Sequence, residues 1–247
     1  MSSITYNEIH IFSDNETIQK QLPIIIQAPK FINYISTLDK NILNIRDLRI
    51  NNVKWFCNPS NPDPKKLGFL YMELNATDIR TGQPVPGIVF LRGNAVAVYI
   101  IVQVEDKKYV ILTRQMRIPL GRLVDEIPAG MMDAENNFSG VAIKEISEET
   151  GLTTPSITDL ILLGNPIIPS AGGCDEQIQL FLWKTTISLE KFKEIQEKIH
   201  GAANENESIK LIFIPFEEYE EKLLTLGDVK AICAHQFAKQ TGLLNEV

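Results

Sequence analysis

The chain has 247 residues, 44% of them hydrophobic and 22% charged, with 14 glycines and 13 prolines, which excludes a disordered chain, a collagen-like repeat and a low-complexity array. This length suits one large domain or a compact domain with an added arm. Thirty-one acids against 24 bases give a formal charge of −7, which argues against nucleic acid or an anionic membrane as partner, since both need a basic footprint; an anionic substrate stays open because a bound divalent metal inverts the local field.

The N-terminal stretch carries acids and no cationic-then-apolar order, so neither a secretory signal nor an Arg-rich transit peptide is read. The first fifty residues read as a helical or irregular segment. Short apolar or alternating patterns then predict strands over Ile50 to Phe56 and Gly68 to Ile79, parted by the Pro- and Asn-rich turn Cys57 to Lys66. A turn at Arg80 to Pro84 leads to another strand, Val85 to Leu91, completing a small antiparallel meander. Ala95 to Val104 is rich in Val and Ile and reads as a buried strand. Glu105 to Lys108 supplies a hairpin turn, and Tyr109 to Arg114 returns.

Beyond the DEIPAG segment the pattern predicts a helix from about Ser139 to Thr150, capped by Gly151. Ile157 to Leu163 and Gln177 to Trp183 are strand-like, with the loop Asn165 to Glu176 between them. A helix over Leu189 to Ile199, a polar loop at Ala202 to Glu207, a strand at Ile209 to Pro215 and a final helix capped by Asp228 complete the chain. Helices fall between strands, so the class is α/β or α+β with a mixed sheet. No apolar run reaches the roughly 18 residues needed to span a bilayer. Cys57, Cys174 and Cys233 form no CxxC pair, which suits a reducing, cytoplasmic setting.

The segment with chemistry is Gly130 to Leu152, GMMDAENNFSGVAIKEISEETGL. Glu145, Glu148 and Glu149 stand at i, i+3 and i+4, so a helix places all three carboxylates on one arc beside the apolar Ala142, Ile143 and Ile146. Like charges at this spacing repel by a few tenths of a kcal/mol per pair. A hard divalent cation offsets that repulsion through oxygen ligands, which fits Mg²⁺ or Mn²⁺ better than zinc. The plain alternative is a solvated face on which Lys144 pairs with Glu148.

The flanks favour the first reading. Gly130, Glu145, Glu148, Glu149, Gly151 and Leu152 resemble the Nudix box of the Nudix hydrolases: Gly, five residues, Glu, seven residues, Arg-Glu, apolar, any, Glu-Glu, any, Gly, apolar. Asn136 stands at the first Glu of that pattern, with Glu135 beside it, and Lys144 replaces the Arg, keeping charge but losing the fork. EIPAG at Glu126 to Gly130, RQMRIP at Arg114 to Pro119 and PSAGGCDE at Pro169 to Glu176 look like the nucleoside-diphosphate-sugar branch. That branch holds ADP-ribose pyrophosphatases and the plant-type ADP-sugar (ADP-glucose) pyrophosphatases. GDVKA at Gly227 to Ala231 is a further echo.

The resemblance implies an α/β/α Nudix sandwich over 93–247 preceded by an antiparallel β arm at 1–92 for dimerisation and substrate enclosure. It implies a homodimer that hydrolyses the diphosphate of a nucleoside diphosphate sugar to a nucleoside monophosphate and a sugar phosphate, with Mg²⁺ as cofactor and Mn²⁺ as a substitute. Glu145, Glu149 and Glu148 would be metal ligands, with the Ala129 carbonyl as an extra oxygen and Glu148 shared with the catalytic chemistry. Glu176 would be the general base, with Asp175 the alternative if the register slips by one; the plain reading of that loop is a turn that its two glycines serve. Arg117, Arg114 and Glu126 would meet the substrate, against plainer readings of Arg117 as a surface arginine and of Glu126 as a partner for Arg114 or Arg122. His10, His200 and His235 fit no triad or metal spacing. Two other functions stay open: hydrolysis of another nucleoside diphosphate derivative, such as a dinucleoside polyphosphate or NADH, and a module that binds a nucleotide sugar without cleaving it.

Overall fold

The computed structural model describes residues 3–132, 138–153, 155–201 and 208–245. Asn136 and Glu135 of the box and the loop 202–207 lie outside the described residues. The chain forms two compact units, the first made of the described residues up to 94 together with 170–176, and the second of the remainder.

The first unit opens with a hairpin of β1 (Ser3–Tyr6) and β2 (Ile9–Phe12), followed by α1 (Glu16–Ile25) and α2 (Pro29–Thr37). The Asn15 side chain caps α1 by accepting from the amides of Thr17 at 2.8 Å and Ile18 at 3.3 Å, and Pro29 starts α2, where its missing N–H costs nothing. The long strands β3 (Leu43–Trp55) and β4 (Leu67–Asp78) pair antiparallel, and β5 (Pro84–Val85) and β6 (Ile88–Leu91) both join β4. The expected meander is present here. One pairing departs from an all-antiparallel arm: β2 and β3 are parallel, because two helices lie between them and a crossover, unlike a tight hairpin, brings the chain back in the same direction. Leu48, Ile50, Leu70 and Met72 turn inward onto Leu22 and Phe31 of the helices. Trp55 is buried there with its indole N–H donating to Gln21 at 3.0 Å.

The second unit is a mixed sheet in the order β11–β12–β7–β8–β14–β13. Its strands are β7 (Ala95–Val104), β8 (Lys107–Arg117), β11 (Leu160–Ile167), β12 (Ile178–Thr186), β13 (Ile199–His200) and β14 (Ile209–Pro215), while β9 (Arg122–Glu126) pairs with β8 and β10 (Ala129–Met131) with β7. Every residue of β7 except Gln103 is buried, which is the signature of a strand covered on both faces. Val96, Val98, Ile100 and Val102 pack toward α3 (Phe138–Thr150) and α4 (Leu189–Glu197). Ala97, Tyr99 and Ile101 pack toward α5 (Phe216–Leu226) and α6 (Val229–Gln240). The unit is therefore a helix–sheet–helix sandwich of the α/β class, as the resemblance implies.

Asp228 caps α6 by accepting from the Lys230 amide at 3.1 Å, and Gly151 ends α3 at φ +63°. The reading of the sequence passes over α5, whose start is marked by acids on its first turn, Glu217 and Glu218, and whose end is a left-handed Gly227. Ile157–Asp159 is a 3₁₀ turn closed by a Ser156 capping box, so β11 begins three residues later than its apolar pattern suggests. Among the described residues no helix is long and apolar enough to cross a membrane.

Beneath α5 and α6 lie Tyr99, Tyr219 and His235, stacked and edge-on at centroid distances of 5.5 to 5.9 Å. The Tyr99 hydroxyl meets His235 Nδ1 at 3.0 Å. Burial pushes the His235 imidazole below its ordinary pKa, against the pull of Glu220, while Lys239 adds to the lowering. A histidine kept neutral in the fold makes the unfolded state the better proton acceptor, so its stabilisation is present above about pH 6.5 and is lost as pH falls through that value. Unfolding in urea at pH 7.5 and 5.5 is therefore expected to show a loss on acidification that His235→Leu removes. At pH 7.5, Tyr99→Phe is expected to cost about 1–3 kcal/mol by orphaning the ring nitrogen; an unchanged urea midpoint in Tyr99→Phe would contradict this role.

Candidate active site

In α3 the 3.6-residue period turns Val141, Ala142 and Ile146 into the sheet and carries Glu149 to the same border, leaving Glu149 only 2% exposed. Glu149 Oε2 accepts from the Ala129 amide of β10 at 3.1 Å. Glu145, one turn earlier, lies on the next residue of that strand: a Cβ on Gly130 would overlap the Glu145 carboxylate. Glycine is needed here for close approach, not for backbone angle. Two carboxylates from one helix thus reach adjacent residues of β10, and β10 is fixed by pairing Gly130 with Val96 and Ala129 with Ala97 of the buried β7.

Glu148 is different. It is partly exposed and takes Lys144 at 3.4 Å, the i, i+4 pair that the plain reading names, and the structure does not bring it onto β10 with the other two. The donor set on β10 is all oxygen: the carboxylates of Glu145 and Glu149, with the Ala129 carbonyl as candidate third donor. Among the described residues no three His, Cys, Asp or Glu side chains are grouped as a metal site; Glu145 and Glu149 are the two that reach β10, and main chain, water or substrate can supply further oxygens. The close-approach glycine and the buried acidic pair fit a hard divalent cation of that kind.

A second constellation surrounds Glu126 at the end of β9, which is buried. Arg117 Nε donates to its Oε1 at 2.6 Å and Lys230 Nζ to its Oε2 at 2.9 Å. Lys230 also meets Asp228 Oδ1 at 2.9 Å, and Asp228 Oδ2 accepts from the Ile127 amide at 3.0 Å. Burial raises the Glu126 pKa, but Lys230 and Arg117 outweigh it and the net shift is downward. Burial likewise opposes charge on Lys230, and the paired acids overcome it. Glu126 is thus a partner of Arg117 and Lys230, and neither Arg114 nor Arg122 takes that place; Arg114 forms a two-point pair with Asp125 at 2.6 and 2.8 Å. Lys230 was not singled out from the sequence, and its signal was the GDVKA echo read only as a helix start.

Glu176 and Asp175 belong to the first unit. Glu176 is buried and ion-paired with Arg92 at 3.2 Å. Asp175 accepts from the Arg92 amide at 2.8 Å and from the Gly93 amide at 3.1 and 3.2 Å. Arg92 is the other functional candidate that the sequence did not mark, since a lone Arg after a strand carries no spacing signal.

Residues 93–234 match the NUDIX domain, and the chain belongs to the Nudix family. It is 38% identical to Nudix hydrolase 14, chloroplastic, of Arabidopsis thaliana over 73% of this chain and 61% of that protein. Identity to the ADP-ribose pyrophosphatase of Bacillus subtilis is 32% over 39% of this chain and 50% of the relative, and to the GDP-mannose pyrophosphatase of an Enterobacter species 32% over 63% and 78%. The chain thus spans 61% and half, respectively, of the lengths of the first two relatives. A solved structure of an ADP compounds hydrolase superposes with a TM-score of 0.51 at 12% identity, covering 82% of this chain and 97% of that one, which supports the fold.

The Glu126 network sets a pH window distinct from that of His235. Its depressed pKa means the pairing stabilises the fold above the ordinary glutamate value near 4.5 and is lost as pH falls below it. Glu126→Gln is expected to cost about 1–3 kcal/mol at pH 7 by leaving Lys230 under-compensated, with the gap from wild type narrowing below pH 4. Urea melts of the two proteins that coincide at pH 7 would contradict this.

Proposed function

We propose that this protein hydrolyses the diphosphate of a nucleoside diphosphate sugar of the ADP-ribose or ADP-glucose type, releasing a nucleoside monophosphate and a sugar phosphate. The observation that carries the reading is the convergence of Glu145 and Glu149 on the glycine and amide of β10, within a chain whose relatives include an ADP-ribose pyrophosphatase and a GDP-mannose pyrophosphatase. Those two relatives differ in base and sugar and share the diphosphate link, which supports the substrate class more than one member of it.

In this reading Glu145, Glu149 and the Ala129 carbonyl hold Mg²⁺, for which Mn²⁺ substitutes, and Glu148 joins from the same helix. When bound, the cation neutralises diphosphate charge and lowers the pKa of water. Arg117 and Arg114 supply guanidinium groups suited to phosphate oxygens, and Glu126 fixes the direction of Arg117. Glu176 takes the proton of the attacking water; its support is its place in PSAGGCDE, and Arg92 pairs with it at 3.2 Å. Residues 1–92 act as the arm and 93–247 as the hydrolase part. A homodimer belongs to the proposal, supported by the exposed apolar Ile79, Ile88 and Phe90 of the first unit. A cytoplasmic setting is supported by three unpaired cysteines.

A second reading, a module that binds the nucleotide sugar without cleaving it, draws on the Lys144–Glu148 pair, which neutralises one of the three box acids. A panel of ADP-ribose, ADP-glucose, UDP-glucose and GDP-mannose with Mg²⁺, assayed for nucleoside monophosphate, separates the two. Release from an ADP-linked sugar that stops on EDTA addition, and that falls on the order of 100-fold or more in Glu149→Gln with the fold retained, is expected. Tight ADP-ribose binding by calorimetry with no product in Mg²⁺ or Mn²⁺ would select the module instead.

A further inference from the structure

We propose that Asp175 is a positioning residue that clamps the loop bearing Glu176, and is not itself the base. This inference rests on the assignment of Glu176 under the proposed function.

Both oxygens of Asp175 are committed to the main chain: Oδ1 to the amides of Arg92 and Gly93, and Oδ2 to Gly93 again, at 2.8 to 3.2 Å. A base must present a lone pair to water, and a carboxylate turned onto two backbone N–H groups has its acceptor sites directed inward. The neighbouring carboxylate behaves differently. Glu176 meets the side chain of Arg92 at 3.2 Å, so one residue, Arg92, holds the first acid by its amide and the second by its guanidinium.

The loop carries its own turn, in which the Ser170 carbonyl accepts from the amides of Gly173 and Cys174 at 3.1 Å each, but that turn does not depend on its glycines. Neither Gly172 nor Gly173 has a positive φ, and an added Cβ would meet nothing within 4 Å at Gly172 and only the Ser170 hydroxyl, at 3.4 Å, at Gly173. The glycines themselves do not fix the loop, and two further fixed points lie outside it. They are Asp175 on Arg92 and Gly93, and the Phe90 amide donating to the Gly173 carbonyl at 3.0 Å. Lys30 lies beside the same segment. Its pKa is pushed down to about 8 by burial, with Asp175 pulling it back up and Arg92 lowering it, and its methylenes lie where a Cβ on Gly93 would stand. Asp175 is therefore held by two main-chain donors, which suits an anchor.

The test compares Asp175→Asn, Asp175→Ala and Glu176→Gln for kcat and KM on the best sugar nucleotide of the panel, with amide hydrogen exchange at Arg92 and Gly93 and thermal melts as structural readouts. Asparagine keeps an acceptor for the amides, so Asp175→Asn is expected to stay within about 10-fold of wild-type kcat. Asp175→Ala is expected to lose about 100-fold in kcat with little change in KM, the scale of a misplaced reacting group, and to lose protection at both amides. Glu176→Gln, which removes the base, is expected to lose about 10³-fold with both amides still protected. Should Asp175→Ala fail to fold, Asp175→Ser serves in its place.

The clamp is overturned if Asp175→Asn loses as much as Glu176→Gln, if Asp175→Ala keeps wild-type kcat, or if amide protection is unchanged in Asp175→Ala. Wild-type turnover in Glu176→Gln rejects the base assignment itself, and the positioning role with it, while leaving the amide protection pattern as its separate mark.

Discussion

The second unit depends on how closely α3 can approach β10. Glu149 is buried against the Ala129 amide, and Glu145 occupies space that any side chain at position 130 would claim. Burying acids is costly unless they are paired or coordinate a cation, and two on one helix also repel each other. The arrangement is tolerable because one acid takes a main-chain donor and because β10 is immobilised on β7, the most completely covered strand of the unit. A site of this kind has its acids set in place before a cation arrives, so little ordering remains to be done at binding.

A second consequence concerns the cations. Arg114 and Arg117 each already have an acidic partner, at Asp125 and Glu126, and Lys230 bridges Glu126 to Asp228. These pairs lock the end of the β8–β9 hairpin to the start of α6, over more than a hundred residues of sequence. Arginines held in this way are pre-oriented, which lowers the entropy lost when they meet phosphate oxygens. The same pairing means that a substrate must compete with Asp125 and Glu126 for them.

Much of this was legible from the residues. The strands Ala95–Val104 and Ile209–Pro215 and the helix ending at Gly151 follow from Val- and Ile-rich runs and a left-handed cap, signals that tertiary packing reinforces. The acidic spacing in α3 predicts Glu145, Glu148 and Glu149 on one arc at the core border, since helical period decides which side chains share a face; of the three the structure buries Glu149 and leaves Glu148 partly exposed. What failed to show were features made by distant parts of the chain. The Lys230–Glu126 pair joins residues 104 apart and Arg92–Glu176 joins residues 84 apart, and no local pattern encodes either. Helix α5 carries Phe216, Tyr219, Leu223 and Leu226 at helical spacing directly after the β14 run, a signal that was present and went unread, while α1 contains Pro23, a residue that argues against a helix interior. The parallel β2–β3 pair needed knowledge that two helices intervene.

The proposed chemistry requires that the Glu145 and Glu149 carboxylates, which α3 brings onto β10, hold a divalent cation. The most direct measurement is a titration of Mn²⁺, followed by electron paramagnetic resonance, into the wild-type protein and Gly130→Ala, with thermal melts to show that both are folded. Because a Cβ at position 130 displaces the Glu145 carboxylate, a bound ion is expected in wild type and an affinity weakened about 10-fold or more in the variant. Equal Mn²⁺ affinity in the two folded proteins, or no bound Mn²⁺ in the wild type, would contradict it.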